Sequence, residues 1–306
     1  MQPAPLGPAS QEPILDGSWE RSGRSLNTAA ILALIGVGAL YFNVQSILGA
    51  LVVMVASALK SGQAVAGTGF DRIVEQVRLL AQPIRIVITV TQYVFMLLPA
   101  LWIVKRWHSS TIRRYVRLDR VPILQTVVAV LITLAFLPAD NFIADQFVRQ
   151  LHVPSKLMAI NAELFTSRSP GEFIWLIIVV CITPALCEET FFRGVVQRTF
   201  ERTIGWKSVI LVGVLFGFFH MNPLGLITLA ILGMLLGYFY YRSRSLVPSM
   251  AAHFTNNFIA ILVLYKNPGG DSGEFPLWVV GGTLAIGIAL LLLFDRMTRD
   301  IGTQGA

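Results

Sequence analysis

Two adjacent carboxylates, Glu188 and Glu189, and a guanidinium at Arg193 close the otherwise apolar stretch "FIWLIIVVCITPALCEETFFRG" (173–194). Further on, "FGFFH" (216–220) ends in His220, and "HFTNN" (253–257) opens on His253 and ends on Asn257. Carboxylates and imidazoles move protons, and imidazole and carboxamide N–H groups stabilise developing negative charge. These are the parts that hydrolysis by an activated water requires. Placing an Asp, Lys or Arg at the centre of a membrane helix costs about 2.5–3.5 kcal/mol, so ionisable groups in such runs are candidates for function.

Spacing assigns provisional roles. Successive helical residues differ by about 100°, so Glu188 and Glu189 cannot address one point equally. Glu189 and Arg193 are i and i+4 and can pair on one face, which leaves Glu188 free for chemistry. The same spacing puts His253 with Asn257 and Phe216 with His220. If the glutamate helix runs on to Arg202, Glu188 lies about 21 Å from that end, at 1.5 Å per residue. By the same rise His220 lies about 21 Å from Trp206, and His253 and Asn257 about 14 and 20 Å from Arg244. All four then reach a similar depth. A helix ending at Arg193 would keep Glu188 away from His220, so the constellation predicts the longer helix.

The elements that carry these residues are membrane spans. The chain has 306 residues, 55% hydrophobic and 13% charged, with mean hydropathy +0.67. Apolar runs occur near Ala29–Leu59, Ile84–Val104, Val121–Pro138, Phe173 to the glutamate pair, Val209–His220, Leu224–Tyr241, Ser249–Tyr265 and Leu277–Phe294. The fold class is therefore an all-α polytopic membrane protein, a bundle of about eight transmembrane helices around an intramembrane active-site cavity. Six Lys/Arg stand against one Asp between Lys105 and Arg120, and Arg198, Arg202, Lys207, Arg242, Arg244, Arg296 and Arg299 flank alternate helix ends. The positive-inside rule makes those ends cytoplasmic, with both termini inside, in a multi-pass protein of the cell membrane. Asp140, Asp145, Glu163 and Glu172 fall in loops on the other side, and only the mixed segment from Lys60 to Arg85 fits neither. The net charge of +7 does not form a stripe interleaved with aromatics, so no nucleic-acid partner is expected. Residues 1–27, rich in proline, read as a disordered cytoplasmic tail, and 28–306 as one transmembrane domain.

Cys181 and Cys187 point to different faces of one helix and read as small packing groups rather than a disulfide. Gly213 with Gly217 and Gly233 with Gly237 form two GxxxG pairs, read as close helix packing.

In order, "EETFFR", "FGFFH" and "HFTNN" resemble the EExxxR, FxxxH and HxxxN motifs of the CAAX proteases and bacteriocin-processing enzymes. This is the membrane family of the type II CAAX prenyl endopeptidase, also described as lysostaphin-resistance-protein-A-like. The resemblance spans 172–265. It implies an intramembrane endopeptidase acting near the terminus of a membrane-anchored protein or peptide, prenylated or not. It further implies Glu188 as catalytic carboxylate, His220 as its partner, and His253 and Asn257 as the opposite wall. Glu189, Arg193 and Phe216 have supporting positions. Two schemes are open: a metal-free one in which Glu188 and His220 activate water, and one in which His220, His253 and Glu188 hold Zn²⁺. No HExxH is present. A cavity open to the cytoplasm is expected. A non-catalytic scaffold or bacteriocin-immunity protein of the same fold is an alternative, as is a proton-coupled transporter. The latter usually shows repeated halves, which this sequence lacks.

Overall fold

The computed structural model describes residues 12–59, 69–152, 162–267 and 275–299. Among the described residues there is no strand. In chain order the helices are α1 (Ser18–Ser22), α2 (Leu26–Leu59), and α3, which starts as Phe70–Thr91 and continues through Gln92–Leu97 and Leu98–Ile103 to Val104–His108. They go on with α4 (Ile112–Tyr115), α5 (Ile123–Gln150), and α6, which starts as Pro170–Leu176 and runs unbroken to Arg198–Ile204. The chain closes with α7 (Lys207–Phe219), α8 (Leu226–Ser243), α9 (Leu246–Lys266) and α10 (Leu277–Met297). Lipid offers no partners to backbone N–H and C=O groups, and helices satisfy both internally.

Among the described residues, seven helices are long and apolar enough to cross a membrane. The run expected at Val209–His220 is α7, whose 13 residues reach only about 20 Å. It forms a hairpin with α8 that turns at 220–225, part-way through the bundle. Helix α5 outlasts its expected end at Pro138 and carries Asp140 and Asp145 as helical residues. Arg85 likewise belongs to α3 rather than to a loop, while Lys60 lies outside the described residues.

Helix α6 is continuous over 170–204, the longer helix that the depth argument requires. Ser169 caps its start by accepting from Glu172 N–H, with Pro170 in the first turn, where its missing N–H costs nothing. Its second half is the core of the molecule. Phe191, Phe192, Val195, Val196 and Phe200 are buried against Ala30, Ala33 and Val37 of α2 and Met96 and Ala100 of α3. Two turns of π-helix, at Ile177–Ile182 and Thr190–Gln197, flank the glutamates, and another opens on Gln92 in α3. Such turns often mark functional sites.

Helices α7 and α8 touch backbone to backbone. A Cβ on Gly233 would stand 2.7 Å from the Gly213 carbonyl oxygen, and one on Gly217 2.7 Å from that of Leu226. The closeness leaves the Gly233 and Gly237 carbonyls open to Arg193 and Gln197 of α6 at 3.0 and 2.9 Å.

Residues 12–25 are ordered where composition predicts a disordered tail; 1–11 lie outside the described residues. Gly17 N–H donates to the His108 carbonyl at 3.0 Å, Ser110 N–H to Asp16 at 2.7 Å, and Trp19 packs on Trp107. Arg202, at the end of α6, forks onto Glu20. Any side chain at Gly17 would collide with the Trp107 and His108 backbone. Desolvation pushes the Glu20 carboxyl up, but hydrogen bonds and charge from Arg202 and His108 outweigh it and hold the group below its ordinary 4.5. A depressed carboxylate stabilises the docked segment above the ordinary value, and that contribution is lost as pH falls through the lowered one.

Two predictions follow from this packing. Gly233→Ala is expected to lower the melting temperature in detergent, with a cost of about 1–3 kcal/mol for overpacking, whereas Gly281→Ala, whose Cβ meets nothing within 4 Å, leaves it unchanged. Gly17→Val is expected to release the docked segment, read as faster tryptic cleavage after Arg21 and Arg24 at neutral pH. Unchanged cleavage would show that the segment does not depend on that close approach.

Candidate active site

Helices α2, α3, α6, α7, α8 and α9 enclose a cavity of about 420 Å³ lined by Glu188, His220, His253 and Asn257 together with Gln92 and Tyr41. The expected residues from three separate segments therefore meet at one level. Their bonding partners differ in part from those that spacing suggests.

Glu189 and Arg193 are wholly buried and pair at 3.1 Å. Glu189 does more than anchor the arginine: His253 Nδ1 lies 2.9 Å from its Oε1, and Ser249 Oγ donates to its Oε2. Arg193 also donates to the Gly233 carbonyl and lies over the Phe216 ring, 4.6 Å from its centroid. The Phe216 ring meets His220 edge-on at 4.6 Å and His253 at 5.9 Å, so this one ring touches all three segments.

Glu188 is held separately. Gln92 Nε2 donates to Oε1 at 3.2 Å, while Oε2 is buried without a hydrogen-bond partner and faces His220 Nε2 at 3.8 Å. His220 Nδ1 lies 2.8 Å from the Phe216 carbonyl, which can only accept, so Nδ1 carries the proton. In the neutral ring Nε2 is then an acceptor turned toward Glu188. Two acceptors 3.8 Å apart are too far for a mutual hydrogen bond and close enough to share one small donor such as water.

The other wall is rearranged. His253 directs Nδ1 to Glu189 and leaves Nε2 for the cavity. Asn257 donates from Nδ2 to the Val180 carbonyl at 2.8 Å, so one of its two N–H groups is committed to α6 and one remains. Gln92 was not singled out in the sequence. The signal was present in a lone carboxamide within the apolar span 84–104, buried at 5% exposure.

Among the described residues no three His, Cys, Asp or Glu side chains are grouped to hold a metal ion. The donor set named for zinc, His220, His253 and Glu188, does not form such a group, and the chemistry below uses side chains alone.

Beyond Glu188 the cavity does not run toward the arginine-rich helix ends, as expected, because Phe191, Phe192, Val195 and Val196 fill that side. It runs the opposite way along four helix stripes: Gln92, Ile88 and Arg85; Glu188, Pro184 and Val180; His253, Asn257, Ala260 and Leu264; and Tyr41 and Gln45. It ends at Leu164 and Phe165.

Breaking one partner of a buried ion pair strands the other, at about 3–5 kcal/mol. Arg193→Leu is expected to lower the melting temperature in detergent sharply, and Glu189→Leu with Arg193→Leu to regain a good part of the loss. A double variant as unstable as the sum of both singles would show that the two groups are not coupled.

No curated protein and no solved structure matches the chain. Residues 170–259 match the family described as Type II CAAX prenyl endopeptidase Rce1-like, a protease family. The match takes in all three motifs and omits α2 and α3, which supply Tyr41, Arg85 and Gln92. The matched segment, Pro170 to Ile259, is under a third of the chain and is similar to that family; it holds both glutamates, both cavity histidines and Asn257.

Proposed function

We propose that the protein is an intramembrane endopeptidase that cuts a peptide bond near the terminus of a membrane-associated protein or peptide. The observation that carries this reading is the facing pair Glu188 Oε2 and His220 Nε2, 3.8 Å apart within the cavity. A water between them presents one O–H to each. Glu188 accepts a proton as the water oxygen attacks the scissile carbonyl carbon, and Gln92 keeps the carboxylate in place. The second Asn257 N–H offers a donor to the oxyanion, and His253, oriented by Glu189, lines the same wall. As the C–N bond breaks, the proton taken from water passes to the leaving amine, directly or through His220. Atoms and charge balance with one water consumed.

The access route follows from the packing. The described chain begins and ends at the arginine-rich face: α1 is tied to Arg202 there, and Asp295 near the end of α10 pairs with Arg242 at 3.0 Å. With that face cytoplasmic by the positive-inside rule, both ends of the described chain are inside and the cavity is reached from the bilayer or from the opposite face. This favours a membrane-inserted peptide as substrate over a prenylated terminus still in the cytoplasm.

The test is a profile of peptide termini in host membranes, comparing the native protein with Glu188→Gln at equal abundance. Termini present with the native protein are expected to fall at least a hundredfold with the variant. Identical profiles, with Glu188→Gln rescuing whatever deletion of the gene impairs, would replace the enzyme with a non-catalytic scaffold.

A further inference from the structure

The cavity contains a buried charge that the chemistry above leaves unused. Arg85 is 3% exposed and, among the described lining residues, is the only lysine or arginine. It makes no ion pair with the described residues. Its Nε donates to the Leu164 carbonyl at 2.8 Å and its Nη2 to the Thr166 carbonyl at 2.7 Å. The nearby carboxylates are engaged elsewhere: Glu163 pairs with Arg168, and Glu172 accepts from the Arg168 backbone. A guanidinium has five N–H donors, so its two bonds to carbonyls fix its plane and leave donors over. A buried cation whose hydrogen bonds go only to neutral carbonyls, with Glu163 and Glu172 near it but bonded to Arg168, is costly, and a directly bound anion would relieve that cost.

Its position is in register with the reacting groups. Arg85, Ile88 and Gln92 form one stripe of α3, and seven helical residues separate Arg85 from Gln92 by about 10 Å along the axis. Gln92 is bonded to Glu188, so the guanidinium lies about the same distance beyond the carboxylate. An extended peptide advances about 3.3–3.6 Å per residue. A chain whose scissile carbonyl sits at Glu188 would bring the group about three residues further on to Arg85. Leu164, Phe165, Ile261 and Leu264 line this part of the cavity, so the intervening side chains meet apolar walls. The one group every peptide carries at its end, and that fits a fixed guanidinium, is the terminal carboxylate.

We propose that Arg85 is the specificity-determining residue of the cavity: it receives the terminal carboxylate of the peptide and so sets the distance between the bond cut and the chain end. The inference rests on the peptidase reading for the cut itself, but the binding it describes does not require hydrolysis.

The test is therefore a binding measurement on the full chain carrying Glu188→Gln, in phosphatidylcholine nanodiscs, which offer no net anionic headgroup to compete. The probe is an N-palmitoylated alanine hexapeptide, prepared with a free terminal carboxylate and as its terminal amide. The acid is expected to bind at least tenfold more tightly than the amide, the scale of one charge-assisted hydrogen bond. Adding Arg85→Gln is expected to erase that preference. Arg85→Lys cannot bridge both loop carbonyls but keeps the charge, and is expected to retain part of it. Equal affinity for acid and amide, or binding of neither, would overturn the proposal, whether or not Glu188 proves hydrolytic. Loss of the preference in both Arg85 variants would also overturn it, by assigning the residue to the loop alone.

Discussion

The site depends on one buried arrangement: Glu189 receiving Arg193, Ser249 and His253 at the centre of the bundle. Two ions taken out of water are stable only when geometry and further hydrogen bonds satisfy them. Here the requirement ties three helices together. Arg193 Nη1 sits 3.1 Å from Glu189 as an ion pair without a hydrogen bond, Nε has no partner, and Nη2 donates to the Gly233 carbonyl, which is accessible because Gly213 and Gly233 let α7 and α8 pack without side chains between them. Glu189 in turn fixes which His253 nitrogen faces the cavity. The same contact that holds α9 to α6 therefore selects a tautomer and aims a functional group.

A division of labour between neighbouring carboxylates follows. Glu189 is held by the Arg193 ion pair, Ser249 and His253. Glu188, one residue and about 100° away, has one donor, Gln92, and one oxygen with no partner. Environment rather than residue type separates a carboxylate that holds structure from one able to take a proton. Phe216 joins the two regions, with Arg193 over its ring and both histidines meeting it edge-on.

Much of this was legible in the sequence because helical geometry is nearly invariant. The i,i+4 spacing of Glu189 and Arg193 and the common depth of Glu188, His220 and His253 need only a rise and a turn angle. What was not legible depends on tertiary choice. The His253–Glu189 bond required knowing which of two adjacent glutamates faces α9, and a 100° ambiguity is not resolved by spacing. Gln92 lies on a helix without a motif, so nothing periodic paired it with Glu188. Arg85 closes a mixed charged segment, where hydropathy alone cannot distinguish a loop from the first turns of a span. Residues 14–22 follow a run of prolines whose composition outweighs the local helix signal of "SWERS", and their docking depends on a close backbone approach at Gly17.

The direction of the cavity was the least legible feature, and packing volume explains it. Helix α6 carries Glu188, Glu189 and Arg193 together within two turns. On the side of the arginine-rich ends, Phe191, Phe192, Val195, Val196 and Phe200 fill the space between α2, α3 and α6. On the other side Pro184, Val180 and Ala260 present small side chains to the cavity, which leaves room between them and Leu164, Phe165 and Leu264. Charge and volume are thus distributed oppositely along the same helices: the face that orients the protein in the bilayer is the face that is sealed. On the proposed reading, a substrate whose terminal segment is already in the membrane enters the open half without crossing the charged one. The buried Arg85 at the far end of that half then gives the cavity a polarity, with an acid–base pair at one end and a fixed cation at the other, which an apolar pocket would lack.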